Sequence, residues 1–404
     1  MKLSVPHIDK SDISSVNNVL KSEWISTSSK TVNMFEKNLS NFCKTKFSVA
    51  LNSGTSAIHL GLKVLGVDKN TEVIVPSLTF IATVNPILYL GASPIILDVD
   101  EYHNLKIKDV INFIENKTFF KKNKTYNKKT KRIIKVIIVA HMWGRACNFN
   151  LLKSLCKKRN IFILEDAAEA LGSYIKTKKN NHCGSVGDIG CLSFNANKII
   201  TTGSGGAIIT NNKRFYKRTQ YLANQAKDDT FNYIHNECGY NYKINGLCAA
   251  LGISQLRKLN SKIALRKKIY KRYSKNFKNS KNIHILSHNI NSKDNFWMNI
   301  VYFKSLNFQQ TLKLSSNLFK KKIETRRIWR PLNLQSHLKK FETFKIINAT
   351  KYYASSLCIP SDDKISISQI DKISNYIKKF YEKIDNGYIK KKNKKNFKKN
   401  KLIL

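Results

Sequence analysis

The chain has 404 residues, enough for two domains around a substantial core. Its 72 Lys and Arg residues against 26 Asp and Glu residues give a formal net charge of +46. No apolar run approaches the ~20 residues of a membrane-spanning helix, and no signal peptide is visible. The 8 cysteines form no CxxC pair, which argues against a metal site and fits reduced thiols. We therefore expect a cytoplasmic protein with no membrane partner.

The positive charge is carried almost entirely by lysine, and asparagine is abundant beside it. This pattern is typical of a general compositional bias. A surface selected to read nucleic acid would favour arginine, whose guanidinium group makes bidentate contacts with bases and phosphates. The composition therefore argues against a nucleic-acid partner. The excess charge should still attract an anionic small molecule.

The first half of the chain alternates short apolar runs with segments of helical periodicity. The apolar runs predict strands at Phe47–Leu51, Glu72–Pro76, Pro94–Asp98, Ile133–Ala140, Ile161–Glu165, Ile189–Phe194 and Gly206–Thr210. The periodic segments predict helices at Thr55–Leu65, Phe80–Leu90 and Leu151–Arg159. This alternation predicts an α/β fold with a mostly parallel sheet covered by helices on both faces.

The second half of the chain predicts a smaller domain. Before it, the lysine-rich segment Lys117–Arg132 reads as a surface loop, and Ile244 to about Lys278 reads as one long helix. We predict a large domain with an N-terminal arm at 1–262, a small C-terminal α/β domain at 263–385, and a basic tail at 386–404. The composition of the tail predicts disorder.

Residues Asn52–Ala57 follow a predicted strand and open a predicted helix. The N–H groups of a helix N-terminus, with the hydroxyls of Thr55 and Ser56 beside them, suit a phosphate group. An ordinary helix cap would show the same residues. The motif therefore predicts either an anion site or a cap.

Asp166 ends a predicted strand, and Phe80 follows another. A carboxylate at such a strand end can hold a pyridine nitrogen protonated, and an aromatic side chain can stack on the ring. Taken singly, a carboxylate such as Asp166 more often caps a loop, and an aromatic such as Phe80 more often belongs to the core. Only their combination with other residues favours a cofactor site.

Lys198 lies between an apolar strand and a glycine-containing loop that ends at Gly206. A lysine amine forms a Schiff base only when it is unprotonated, and a partly desolvated site favours that form. The glycines allow the backbone to approach a bound cofactor. Together with Asp166, Lys198 points to carbonyl chemistry on an aromatic cofactor.

These motifs in this order resemble the DegT/DnrJ/EryC1/StrS family of pyridoxal-phosphate (PLP)-dependent nucleotide-sugar aminotransferases. The resemblance covers nearly the whole chain, from Leu3 to Ser361. It is carried by the segments Asn52–Ala57, Pro76–Asn85, Asp98–Asp100, Glu165–Gly172, Gly187–Gly190, Ser193–Gly206 and Gly239–Lys243. It implies a fold-type I aminotransferase and a homodimer with shared active sites.

The resemblance also implies roles for individual residues. Lys198 would be the Schiff-base lysine, and Asp166 would pair with the pyridine nitrogen. Phe80 would stack on the ring, and Glu169 would lie near the ring hydroxyl. The residues that would hold the phosphate are Gly54, Thr55, Ser56 and Ser193, with Asn241 reaching the cofactor of the partner subunit. Relatives that dehydrate sugars carry histidine in place of the lysine, so Lys198 favours transamination.

Within the family, the segments Asn195–Thr202, Asn224–Asp229 and His235–Glu237 resemble enzymes that aminate UDP-4-keto-6-deoxy-N-acetylhexosamine, with L-glutamate as donor, for bacillosamine and legionaminic acid type sugars. Two positions depart from the family. Ser204 replaces a usual glycine, and Asn333 replaces a usual histidine on the substrate side. Arg326 and Arg330 could contact the nucleotide diphosphate or form only a surface basic cluster.

Three alternatives stay open at this point. The same chemistry could act on a GDP- or dTDP-linked 4-keto-6-deoxy sugar. A PLP-binding protein without catalysis could act as a regulator or a nucleic-acid binder, although no helix-turn-helix module is visible and the Lys198–Asp166 pair is intact. A scaffold that has lost catalysis would show no spectral change with any amino donor.

Overall fold

The structure is a computed structural model that describes residues 1–176 and 180–400, with side chains described up to residue 384. Its helices are α1 (Lys10–Lys21), α2 (Lys30–Cys43), α3 (Gly54–Val64), α4 (Asn85–Tyr89), α5 (Ile107–Lys117), α6 (Asn150–Arg159), α7 (Lys213–Ala223), α8 (Gly246–Arg257), α9 (Leu259–Phe277), α10 (Phe308–Lys320), α11 (Asn348–Ser355) and α12 (Ile367–Asn400). Its strands are β1 (Phe47–Leu51), β2 (Thr71–Pro76), β3 (Ser93–Leu97), β4 (Thr118–Lys121), β5 (Lys124–Asn127), β6 (Ile133–Ala140), β7 (Phe162–Asp166), β8 (Tyr174–Ile175), β9 (Asn181–His182), β10 (Ile189–Ser193), β11 (Gly206–Thr210), β12 (Ile283–Ile285), β13 (Ser292–Lys293), β14 (Asn299–Phe303), β15 (Arg326–Arg327), β16 (Thr343–Phe344) and β17 (Ser356–Ile359). None of the helices in these ranges is long and apolar enough to cross a membrane.

The central sheet has the order β1-β11-β10-β7-β6-β2-β3-β16. All neighbours in this order pair in parallel except β11, which is antiparallel to both β1 and β10. Alternate residues of one strand enter different cores: Val73 and Val75 belong to one apolar cluster and Ile74 to another. Both faces of the sheet are therefore covered, and the predicted, mostly parallel α/β fold is confirmed.

A second, antiparallel sheet of order β12-β14-β17-β15 lies in the C-terminal part. It packs against helices in a separate apolar cluster that includes Tyr273, Phe303, Leu314 and Ile373. The short strand β16 leaves this region and pairs in parallel with β3 of the central sheet. The C-terminal part is therefore attached to the edge of the large sheet as well as to its own core.

Three predicted elements differ from the structure. The segment Lys117–Arg132 is not a loop but contains the hairpin β4–β5, because its alternating aromatic and threonine residues favour strands and Lys122 and Asn123 turn with φ of 49° and 57°. The predicted long helix breaks at Lys258 into α8 and α9. The predicted helix Phe80–Leu90 is a 3₁₀ turn, Ile81–Thr83, followed by α4.

The backbone of helix α12 runs from Ile367 to Asn400, and side chains are described up to residue 384. The disorder of the basic tail at 386–404 stays a prediction. Residues 401–404 lie outside the described residues.

Candidate active site

A cavity of about 410 Å³ opens at the C-terminal ends of β1, β2, β6, β7 and β10. This edge of a parallel sheet is where α/β proteins bind ligands, and the volume suits a small molecule. The cavity brings together eight of the predicted site residues: Gly54, Thr55, Phe80, Asp166, Glu169, Ser193, Lys198 and Arg326. Ser56, Asn241 and Arg330 do not line it.

Lys198 reaches the cavity from the loop that follows β10. Its backbone N–H donates to the Asn195 carbonyl at 2.9 Å, which closes a tight turn after the strand. Its Nζ lies 3.5 Å from Glu169 Oε1 and 4.5 Å from the centre of the Trp297 ring. The side chain is only 12% exposed. The predicted lysine is therefore partly desolvated, with one carboxylate and one aromatic face beside its amine.

Asp166 occupies the end of β7 and faces the same cavity. Its Oδ2 accepts a hydrogen bond from the Thr83 hydroxyl at 2.7 Å, and its Oδ1 accepts one from the Ala168 N–H at 3.1 Å. The Thr83 hydroxyl is in turn 2.7 Å from that of Thr79. These contacts hold a buried carboxylate in one orientation, where it can accept a further N–H from a ligand.

Glu165, next to Asp166, points away from the cavity and is fully buried. It accepts hydrogen bonds from the N–H groups of Gly184, Val186 and Gly187 and from His141 Nε2 at 2.9 Å. Burial by itself would raise the pKa of Glu165, but the His141 contact and the backbone N–H groups outweigh it and lower the pKa.

His141 lines the cavity, although its sequence context did not predict a site residue. Its Nδ1 accepts the Cys147 N–H at 3.0 Å, so the ring proton is on Nε2 and is donated to Glu165. The carboxylate of Glu165 therefore fixes the ring of a residue in the cavity wall.

Glu169 lies one turn after Asp166, with 7% of its surface exposed. Its Oε2 accepts the Trp143 N–H at 2.7 Å, and its Oε1 faces Lys198. Burial raises the pKa of Glu169, while Lys198 and the Trp143 N–H act in the opposite direction. The Lys198 amine thus faces a carboxyl group that binds a proton more readily than usual.

The first turn of α3 forms one end of the cavity. Ser53 caps this helix, and its Oγ accepts the Ser56 N–H at 3.0 Å, so the predicted cap is present. Gly54 and Thr55 also line the cavity, where helix N-terminal N–H groups favour an anion. A Cβ on Gly54 would lie 2.8 Å from the Ser193 Cβ. The capped turn therefore faces the cavity, and the anion site at this turn stays a prediction.

The two departures from the family pattern have different surroundings. The Ser204 hydroxyl donates to the Asn52 carbonyl at 2.7 Å, which ties the loop after Lys198 to the turn before α3. Asn52 also donates from Nδ2 to the Asn241 carbonyl at 3.2 Å. Asn333 does not line the cavity, and its buried Oδ1 has no hydrogen-bond partner among the residues that the structure describes.

We call Phe80, Arg326 and Trp329 the cavity rim, and Asp166, Glu169 and Lys198 the cavity floor. In the rim, Phe80 is 46% exposed, and its ring centre lies 4.9 Å from that of Trp329. The Arg326 side chain is 70% exposed and contacts Glu324 at 3.2 Å. By contrast, Arg330 donates to the Leu334 carbonyl at 3.1 Å, away from the cavity.

Comparisons with known proteins agree with this arrangement. The model of the DegT/DnrJ/EryC1/StrS aminotransferase family matches residues 6–378. The chain belongs to this family. It is 33% identical to GDP-perosamine synthase of Escherichia coli O157:H7, over 91% of this chain and 94% of that protein. It is 30% identical to UDP-4-amino-4,6-dideoxy-N-acetyl-beta-L-altrosamine transaminase of Campylobacter jejuni strain 81-176, over 95% and 98%.

Similar solved structures agree with the family match in both fold and cofactor. The candidate sugar aminotransferase Spr1654 of Streptococcus pneumoniae in its PMP form superposes with a TM-score of 0.86 at 26% identity, over 96% of this chain and 98% of that one. Its PLP form superposes with a TM-score of 0.85. The chain is thus a PLP-dependent sugar aminotransferase with the fold-type I architecture predicted from the sequence.

The residues present fit this cofactor. A buried carboxylate, a lysine amine and a helix N-terminus face one cavity, and they are the partners that a pyridine nitrogen, an aldehyde and a phosphate require. The close approach of the first turn of α3 to β11 depends on Gly206, where a Cβ would lie 2.4 Å from the Ser53 carbonyl carbon. Larger residues there would displace the turn that faces the phosphate position.

Proposed function

We propose that the protein transfers an amino group from L-glutamate to the 4-keto group of a nucleotide-linked 6-deoxy sugar. The observation that carries this proposal is the cavity floor, where Lys198 and Asp166 face one space of small-molecule size. When bound, the cofactor supplies an electron sink for the carbanion formed at the reacting carbon. The sugar-nucleotide part rests on the relatives that share nearly the full length of the chain.

In this proposal the protein's own residues orient the reactants and move one proton. Asp166, held by Thr83 and Ala168, would accept an N–H from the cofactor ring and keep that ring nitrogen charged. Gly54, Thr55 and Ser193 would hold the phosphate, and Phe80 would cover the ring face. Lys198 Nζ would take up the proton that leaves the α-carbon of glutamate and pass it to the bound cofactor, and in the second half-reaction it would move a proton in the opposite direction, onto C4 of the sugar.

The rim supports an anionic substrate. Arg326 lines the cavity with most of its side chain exposed, and its one acidic neighbour among the described residues is Glu324. A guanidinium at such a position can contact a diphosphate with two parallel hydrogen bonds. Arg330 lies outside this cavity, so we assign the diphosphate contact to Arg326 alone.

We propose UDP-4-keto-6-deoxy-N-acetylhexosamine as the sugar nucleotide. The support is the resemblance of the segments around Gln225 and His235, and the Campylobacter relative, whose name denotes a 4-amino-4,6-dideoxy product on UDP. Residues 225–237 form a loop in which His235 Nδ1 lies 2.8 Å from the Gln225 carbonyl. This loop does not line the cavity of its own chain, so in our proposal it acts on a partner subunit's site.

A GDP-linked 4-keto-6-deoxy sugar is the second candidate. It is favoured by the 33% identity with GDP-perosamine synthase, which is slightly higher than the 30% identity with the UDP-linked relative. Both candidates use the same cavity floor. In our proposal, the choice between the two sugar nucleotides depends on the protein groups that the rim and the neighbouring subunit present to the sugar and the base.

We also propose that the active unit is a homodimer. Asn241 lies outside its own cavity, and its carbonyl accepts a hydrogen bond from Asn52, which precedes the first turn of α3. Exposed apolar side chains lie nearby on the same segment, including Phe231 at 89% and Tyr233 at 74%. A second copy would bury them and bring Asn241 to a neighbouring phosphate. The cytoplasmic location stays a prediction.

The test is a half-reaction followed by absorbance. Purified protein is converted with L-glutamate to the pyridoxamine form and then offered UDP-, GDP- and dTDP-linked 4-keto-6-deoxy sugars. Return of the band of the lysine-bound cofactor with the UDP-N-acetylhexosamine compound alone supports the proposal. Return with the GDP compound alone supports the second candidate. No response to glutamate contradicts transamination by this chain.

A further inference from the structure

The amine of Lys198 rests on a side chain that the reaction scheme above does not use. Trp297 is 1% exposed, and the centre of its ring lies 4.5 Å from Lys198 Nζ. Its indole N–H donates to the carbonyl of Asn197, the residue just before Lys198, at 2.8 Å. Trp297 therefore contacts both the backbone and the amine end of the lysine segment.

Trp297 is itself held from several sides. Its backbone N–H donates to Asn295 Oδ1 at 3.0 Å, and its carbonyl accepts from Arg266 Nη1 at 3.2 Å. The Asn295 Nδ2 donates to the carbonyls of Glu169 and Leu171, both at 2.9 Å. Through Asn295, Trp297 is thus connected to the backbone of Glu169, whose carboxylate faces the same amine.

A second tryptophan supports the first. The Trp143 ring is nearly parallel to that of Trp297, with the two ring centres 6.4 Å apart, and it also stacks on Trp329 of the rim, with ring centres 5.2 Å apart. The backbone N–H of Trp143 also donates to Glu169 Oε2 at 2.7 Å. One buried stack therefore fixes both groups that contact the Lys198 amine.

Backbone strain occurs at this stack. Trp143 has φ of 60°, and Phe296, the residue before Trp297, has φ of 57°. Bulky residues adopt this left-handed region only where the surrounding structure requires it, and such strain concentrates at functional sites. One strained position is Trp143, whose backbone N–H contacts Glu169, and the other directly precedes Trp297, whose ring contacts the Lys198 amine.

We propose that Trp297 is a positioning residue that holds the free amine of Lys198 on its ring face, beside Glu169, whenever the lysine is not bonded to cofactor. The physical basis is the attraction between an ammonium and an aromatic face in a desolvated site. This proposal rests on the proposed function in one respect, which is that Lys198 has to move a proton at the reacting carbon. It concerns the state in which a freed lysine must stay close to the reacting carbon.

The test is acylation of the cofactor-free protein with limiting acetic anhydride, with modified lysines quantified by peptide mass spectrometry. The measured quantity is the labelling rate of Lys198 relative to Lys46, an exposed lysine. An amine held on the Trp297 ring face beside Glu169, with only 12% of its side chain exposed, is slow to attack the reagent. Trp297→Leu should raise the ratio about tenfold, whereas Trp297→Phe, which retains a ring, should stay within about twofold of wild type.

The matched control is Trp24→Leu, because Trp24 is exposed and contacts no part of the cavity. It should leave the ratio unchanged. A ratio at the wild-type value in a folded Trp297→Leu protein would overturn the proposal. If that variant fails to fold, a tenfold rise in Trp297→Phe would overturn it equally, because the ring face would then not be what holds the amine. Loss of the proposed transamination would leave the labelling ratios unaffected.

Discussion

The floor and the rim of the cavity are built in opposite ways. Asp166 and Glu169 are 8% and 7% exposed, and each accepts hydrogen bonds from neighbouring residues. Phe80 and the Arg326 side chain are 46% and 70% exposed and rest on few neighbours. A buried, over-determined floor keeps one geometry, while an exposed rim can change without disturbing the fold. In our proposal, the chemistry is therefore built into the core and the choice of sugar lies at the surface.

The largest effect should come from the floor. Lys198→Ala should retain the fold and lower turnover more than about 10⁴-fold, because the amine that moves the proton is absent. Turnover is measured with L-glutamate and the preferred keto sugar. Lys46→Ala, at an exposed lysine, is the control and should behave as wild type. Normal turnover in Lys198→Ala would remove the lysine from its role.

Asp166→Asn should give the next largest effect, a loss of about 3–4 kcal/mol of transition-state stabilisation in kcat/KM. The amide cannot hold a protonated ring nitrogen as a carboxylate does. Thr83→Val, which removes only the donor to Oδ2, should cost about 1 kcal/mol. Equal losses in the two variants would mean that orientation, and not charge, is what Asp166 contributes.

A pH titration of stability can test the contact between His103 and Trp143, which lies next to Glu169 of the cavity floor. His103 is fully buried and accepts the Trp143 indole N–H at 3.2 Å, and its burial, with the charge of Arg145, lowers its pKa to about 3. A group with a lowered pKa binds fewer protons in the folded state than in the unfolded state. The folded protein should therefore lose stability as the pH falls below 6.5.

The expected loss for His103 is about 1.5 kcal/mol of unfolding free energy between pH 6.5 and pH 5, measured by denaturant titration. His103→Asn retains an acceptor and tolerates the positive φ of this position, and it should reduce the pH dependence by about this amount. The buried His182 and His288, whose pKa values burial also lowers, to about 4, should keep part of the acid sensitivity. His337→Asn, at an exposed position, should leave the slope as in wild type. An unchanged slope in His103→Asn would mean that other groups carry the acid sensitivity.

The smallest effect should come from the rim. Arg326→Ala should raise KM for the nucleotide sugar about fivefold and leave kcat nearly unchanged, since an exposed guanidinium contributes uniform binding. The effect should shrink at high salt. Arg330→Ala, whose side chain points to the Leu334 carbonyl, is the matched control. A fall in kcat in Arg326→Ala would mean that this rim residue also contributes to the chemical step, contrary to the prediction.

Much of the fold could be predicted because buried strands are short, continuous apolar runs. The predicted strands Phe47–Leu51, Ile133–Ala140 and Gly206–Thr210 agree with the structure residue for residue. The hairpin β4–β5 was missed because its lysines mask the alternating aromatic residues. The break at Lys258 was missed because no glycine or proline marks it in the sequence. The backbone there departs only slightly from a helix, with φ of −95° and ψ of −2°.

By itself, the sequence determined the architecture, because local periodicity predicts helices and strands. It also determined the family and pointed to the residues of the floor, because many short motifs occur in the right order along nearly the whole chain. Only the tertiary structure decided that Arg326 and not Arg330 lines the cavity, and that His141 and Trp329 belong to its wall. It also placed Trp143 and Trp297 beneath Lys198 and Glu169. Such contacts join residues far apart in the chain, and no local pattern encodes which buried side chains will meet.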